Sequence, residues 1–170
     1  MDSVIRLHCH LLVAGARCAT SAPTLPSPKA FTKVVLRDVQ GLFGGQDLWV
    51  FSDGRVIVQV VTSPSDTRGM LRYEMQATPL ELDSIQALLD QHHFSDLKIE
   101  TSKAVPDEAH PEITVEYKSG PSHAVMKMAN EKNADFDAIY DQLRALVKRA
   151  SATKPVFEGA YDWTWKPSTP

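Results

Sequence analysis

The hydrophobic pattern changes period several times along the chain, and each change marks an element. Phe31 to Val39 alternates loosely, with Val34 and Leu36 on one side and Val35 on the other, as a strand does. A glycine-rich link, Gly41 to Gln46, leads into two apolar runs that flank Asp53-Gly54. That dipeptide suits a two-residue hairpin turn in which both central residues take positive φ. Such a turn sets Ser52 opposite Arg55, Phe51 opposite Val56 and Trp49 opposite Val58. It predicts one face made of Trp49, Phe51, Val56 and Val58, and another carrying Leu48, Val50, Ile57, Arg55 and Gln59. After a polar stretch at 62–69, Leu71, Tyr73, Met75 and Ala77 alternate with Arg72, Glu74 and Gln76, a half-exposed strand. Four strands in an antiparallel meander are expected.

The period then lengthens. Thr78-Pro79-Leu80-Glu81 starts a helix: threonine caps it, proline suits its first turn, and Glu81 completes a capping box. Leu82, Ile85, Leu88 and Leu89 give its apolar face. His92 and His93 follow near its end, where they read as structural or solvent-facing, because adjacent helical residues point about 100° apart. Ile113, Val115 and Tyr117, a Ser119-Gly120 turn and Ser122 to Met128 form a second hairpin. Asn133 or Asp135 opens a last helix whose stripe is Phe136, Ile139, Tyr140, Leu143, Leu146 and Val147. The fold class is therefore α+β: an antiparallel sheet of about six strands with two amphipathic helices packed on one face.

Both ends of the chain stand apart. Residues 1–30 combine a short apolar stretch, Leu7 to Ala16, with a proline- and serine-rich linker, Thr20 to Pro28. They read as a secretory signal followed by a linker, or as a disordered extension. The protein would be secreted or periplasmic if residues 1–16 act as a signal, and cytoplasmic otherwise. Residues 31–150 make one α+β domain, and 151–170 an aromatic tail. In that tail Tyr161, Trp163 and Trp165 fall at period two, as along one face of an extended segment. Docking of that face on the domain is expected, because an exposed Tyr-Trp-Trp surface invites aggregation. Its alternative is a ligand surface, since tryptophan and tyrosine dominate binding hot spots.

Charge and cysteine usage narrow the classes of function. A formal net charge of −3 with scattered basic residues gives no footprint for nucleic acid. No segment approaches the ~20 apolar residues of a membrane span. Cys9 and Cys18, the two cysteines, lie in the N-terminal segment, so the domain has neither an internal disulfide nor a thiolate metal site. His8-Cys9-His10 has no second ligand pair nearby and reads as incidental.

Candidate chemistry is sparse. Gly41-Leu42-Phe43-Gly44-Gly45 lacks the lysine and serine or threonine of a phosphate loop. Leu42 or Phe43 is expected to plug the sheet from this loop. The alternative is a partner-binding loop in which Phe43, with Leu42 and Gln46 beside it, enters a partner's pocket. Asp107, His110 and Glu112, in a segment with two prolines, are the one cluster able to hold a metal or share a proton, yet their spacing matches no signature and a stiff connector is the simpler expectation. No catalytic or cofactor motif appears.

In the order of its elements the chain resembles the emfourin family, small protein inhibitors of thermolysin-like metalloproteases, and related bacterial domains. The resemblance rests on the strand into Gly41-Leu42-Phe43-Gly44-Gly45, the Thr78-Pro79-Leu80-Glu81 helix start with Leu88-Leu89, and Phe94-Ser95-Asp96-Leu97. Asp107 before Glu112 to Tyr117, and Phe136 to Leu146, complete it, so it covers roughly residues 31–149. It implies a non-enzymatic protein-binding domain without cofactor, whose partner is a metalloprotease. Two rivals remain: a small metal-dependent protein or enzyme centred on Asp107, His110 and Glu112, and a structural accessory module that binds through the aromatic tail.

Overall fold

A computed structural model gives the structure of the chain, and it describes residues 31–40, 43–62, 69–100, 109–128 and 130–168. The predicted signal or extension at 1–30 therefore lies outside the described residues, as do Leu42 and Asp107.

Among the described residues, seven antiparallel strands form one sheet: β1 (Phe31–Gln40), β2 (Gly44–Phe51), β3 (Arg55–Thr62), β4 (Gly69–Gln76), β5 (Glu112–Tyr117), β6 (His123–Met126) and β7 (Phe157–Ala160). The spatial order is β6-β5-β1-β2-β3-β4-β7. The first four strands are the expected meander. The second hairpin joins beside β1, and the seventh strand comes from the tail and pairs with β4. Helix α1 (Pro79–Gln91) carries the chain from β4 back toward β5, and α2 (Ala134–Ser151) returns it from β6 toward β7.

The capping box of α1 forms as expected: Thr78 Oγ1 accepts from the Glu81 amide at 3.3 Å, and Glu81 Oε2 accepts from the Thr78 amide at 2.7 Å. Asn133 caps α2, accepting from the Phe136 amide at 2.9 Å. Both helices press one face of the sheet. Leu82, Ile85 and Leu89 of α1, with Phe136, Ile139, Leu143, Leu146 and Ala150 of α2, cover Val34, Leu36, Leu48, Val50, Val56, Val58, Ile113 and Val115. Arg149 in the last turn of α2 donates to Glu81 at 2.9 Å, and His92 at the end of α1 meets Asp135 at 2.8 Å, so each helix end is tied to the other helix. His93 lies beyond the helix in left-handed conformation, φ 46°, and is exposed. The two histidines are thus separated by a change of backbone conformation as well as by helical rotation.

One sequence expectation is corrected by the central hairpin. Only Gly54 has positive φ, 96°, and its amide donates to Phe51 O at 3.0 Å. The loop is Ser52–Gly54, three residues ending on a left-handed glycine, rather than a two-residue turn. Asp53 Oδ1 accepts from the Arg55 amide at 2.9 Å and holds the loop closed. The extra loop residue shifts the register by one, so that Leu48 faces Val58, Trp49 faces Ile57 and Val50 faces Val56. Such a slip moves a whole strand to the opposite face. The aliphatic residues Leu48, Val50, Val56 and Val58 now share the helix side. Trp49, Phe51 and Ile57 share the other side with Arg55, Asp47 and Gln59. The observed register sorts the hairpin into an aliphatic face for helices and an aromatic-polar face for something else.

That something is the tail. After α2 the chain forms β7, where Arg72 pairs with Phe157 and Gly69 with Ala160, and then crosses the second face of the sheet. Trp165 packs edge-to-face on Trp49 with ring centroids 5.5 Å apart, in a cluster with Phe51, Ile57 and Val35. The expected period-two face is broken by a turn. Asp162 Oδ1 accepts from the Thr164 amide at 2.8 Å and from its hydroxyl at 2.6 Å, and the Trp165 amide donates to Asp162 O. Tyr161 and Trp165 therefore reach the sheet, while Trp163 points outward, 74% exposed.

Candidate functional site

Two carboxylates sit inside the strands of the first hairpin, one on each face, and each finds a tyrosine hydroxyl. On the helix side, Asp38 accepts from Tyr140 Oη at 2.5 Å. Burial pushes its carboxyl up, opposed by Tyr140, by Arg144 and by Gln46. On the tail side, the fully buried Asp47 accepts from Arg37 Nη1 and from Tyr161 Oη, both at 2.8 Å. Burial raises this carboxyl too, against the lowering pull of Arg37 and Tyr161. Both phenols are pushed well above the ordinary tyrosine range, first by burial and then by their aspartates, so they remain donors.

These contacts brace the end of the sheet where β1 turns into β2. Gly45 lies opposite Val39 with φ 140°, and a Cβ built there would meet Asp38 O at 2.0 Å. Glycine is required at that point, because the strand approaches its neighbour too closely for any side chain. Phe43 stands at the tip of this turn and is 67% exposed, so it is not the plug that the apolar pattern led one to expect. Gln46 pairs with Asp38 a few residues away on the helix side. The structure thus brings Phe43 and Gln46 to one end of the sheet, with Asp38 and Tyr140 beneath them.

Beside them opens a cleft of about 220 Å3 lined by Asp38, Gln40, Ala109, Pro111, Lys127 and Tyr140. The Lys127 ammonium, 7% exposed, is already engaged by Asp137 Oδ1 and Glu131 O, both at 2.7 Å, and lies over the Phe136 ring. This cleft is where the connector at 109–111 meets the β1–β2 end. His110 is exposed there, and Glu112 lies on β5, where Oε1 accepts from the Thr114 hydroxyl at 3.3 Å. Among the described residues, no three His, Cys, Asp or Glu side chains gather to hold a metal ion.

The aromatic tail residues divide. Tyr161 and Trp165 are taken up by their own domain, which leaves Trp163 as the outward-facing member of the three. Asp38, Asp47 and Arg37 carry no local motif in the sequence, and Tyr140 reads there as part of the apolar stripe of α2. The available signal was an aspartate set inside an apolar strand pattern, at Asp47 before Leu48-Trp49-Val50, since a charge in such a place needs a partner. Its partners lie 10 and 114 residues away, at Arg37 and Tyr161.

Among the described residues, no helix is long and apolar enough to cross a membrane. No family model, curated protein or solved structure matches the chain.

Proposed function

We propose that this chain is a protein-binding domain that presents the β1–β2 tip to a partner and acts as an inhibitor or regulator rather than as an enzyme. The observation that carries this reading is Phe43: a large apolar side chain, 67% exposed, at the tip of a turn. Behind it stand Gly45 and the Asp38–Tyr140 pair, which fix the strands that carry it. Loops on a fixed sheet are where binding residues concentrate, and large apolar side chains are the usual anchors. The cleft beside the tip gives the partner's surface a second place to enter.

The resemblance to emfourins supplies the kind of partner, a thermolysin-like metalloprotease. Titrating such a protease with the purified full chain should give stoichiometric loss of peptidase activity without cleavage of the chain. Phe43→Ala should weaken the inhibition by roughly thirtyfold, as truncating a hot-spot anchor does. Full protease activity in the presence of excess chain would reject the inhibitor form of the reading. Equal potency of the parent and Phe43→Ala would reject the tip as its contact.

A further inference from the structure

The face beneath the tail has a composition that the tail does not match. One register row crosses it: Arg37 on β1, Asp47 on β2, Gln59 on β3, Arg72 on β4 and Phe157 on β7. Arg37 and Asp47 form an ion pair through Asp47 Oδ2, while the buried Asp47 Oδ1 has no hydrogen-bond partner among the described residues. The next two residues of the row have no such ion pair. Gln59 is fully buried, yet among the described residues neither its amide oxygen nor its amide nitrogen has a hydrogen-bond partner, and the buried Nε of Arg72 has none either. A buried polar group left unpaired is destabilising, because it gives up its hydrogen bonds to water and gains none.

The cations on this face are also poorly matched. Among the described residues, neither Arg72 nor Arg55 has a carboxylate within ion-pair distance. Arg72 is sandwiched between the rings of Phe157 and Trp165, at 4.8 and 4.6 Å. Arg55 stacks on Phe51 and donates to a neutral acceptor, the Ser168 carbonyl, at 2.7 Å. The described part of the tail thus offers rings and one carbonyl where a carboxylate would make the stronger, charge-assisted bonds. Its attachment is slight: a strand of four residues, mostly exposed, at the edge of the sheet.

We infer that the sheet face carrying Trp49, Arg55, Gln59 and Arg72 is a binding site for an extended acidic-aromatic segment of a partner protein, and that the tail occupies it in cis as a weaker stand-in. The partner segment sets an aromatic ring on Trp49 and a carboxylate on Arg55 or Arg72, with a polar side chain reaching Gln59. This site is on the opposite face from the Asp38–Tyr140 cleft and does not depend on the role of Phe43.

The test uses the full chain and two fluorescein-labelled peptides. One has the sequence of residues 155–168; the other is the same peptide with Ser168→Glu, which sets a carboxylate beside Arg55. Fluorescence anisotropy should show the acidic peptide binding about tenfold more tightly than the plain one. Weakening the tail in the full chain with Trp165→Ala should tighten both peptides, because the competitor in cis is lost. Arg55→Ala in that background should erase the advantage of the acidic peptide. Tyr161→Phe, which removes only a hydroxyl, gives a second loosened tail if Trp165→Ala disturbs the fold. The inference is overturned if neither peptide binds a loosened chain that keeps its circular dichroism. It is overturned equally if the Arg55→Ala chain still prefers the acidic peptide. Tighter binding of the plain peptide would mean that the face prefers the tail of a second copy, and would also overturn it.

Discussion

The two faces of the sheet solve the problem of burial in different ways. The helix face is mostly aliphatic and is closed by two amphipathic helices. Its stability comes from buried apolar area and close packing. The tail face is aromatic and polar, and the tail closes it through a few specific contacts: Trp165 on Trp49, Tyr161 on Asp47, and a carbonyl on Arg55. A face closed by packing is hard to open. One closed by a handful of polar and ring contacts, some of them incomplete, is the face a protein can expose.

Breaking the helix face should be the most damaging. Phe136→Ala removes a fully buried ring between α2 and the sheet. It should lower stability by about 3–5 kcal/mol in urea unfolding. On the tail face, Asp47→Ala strips the shared acceptor from Arg37 and Tyr161. A loss of roughly 2–3 kcal/mol is expected, measured the same way. Trp165→Ala should lose only about 1–2 kcal/mol, because the ring is partly exposed, and it should abolish the near-ultraviolet dichroism of the Trp49–Trp165 pair while leaving the far-ultraviolet spectrum unchanged. If Trp165→Ala proves as damaging as Phe136→Ala, the contrast between the faces is wrong.

A pH titration sharpens the same contrast. The folded carboxyl of Asp47 is raised above its unfolded value, chiefly by burial. The native state therefore binds this proton more readily than the unfolded state does. By linkage the contribution of Asp47 to stability falls as pH rises from the ordinary carboxylate value, near 4, through the raised folded one. Asp47→Asn keeps an acceptor but cannot ionise, so it should flatten that part of the slope and be tolerated better than Asp47→Ala. An identical pH dependence of unfolding in the parent and Asp47→Asn chains would contradict this account. The smallest effect belongs to the tip: Phe43→Ala touches an exposed side chain and should change stability by no more than about 0.5 kcal/mol, whatever it does to partner binding.

Much of the architecture was legible before any coordinates. Alternation at 31–39 and 71–77, the capping box at Thr78–Glu81 and the stripe from Phe136 to Val147 are local signals, and strands and helices obey them because the backbone period decides which side chains share a face. They establish the meander, the two helices and the two-layer plan. Local signals also limit what can be read. The Asp53-Gly54 pair announced a hairpin, but the length of its loop differed by one residue, and that residue exchanged the faces of β3. The choice belonged to the whole sheet, since only the observed register gathers Leu48, Val50, Val56 and Val58 under the helices.

The candidate sites were less legible for the same reason. Phe43 and Gln46 stand close together in the chain, and the sequence alone could propose them. The partnership of Asp38 with Tyr140 spans 102 residues, and that of Asp47 with Tyr161 spans 114. Composition and spacing determined that this is an α+β domain with an aromatic end. Only the tertiary structure decided that two aromatics of that end close the second face of the sheet while Trp163 stays outside. Periodicity records which side of an element is apolar; which distant segment will cover it depends on shape, charge and register, and those exist only once the sheet has formed.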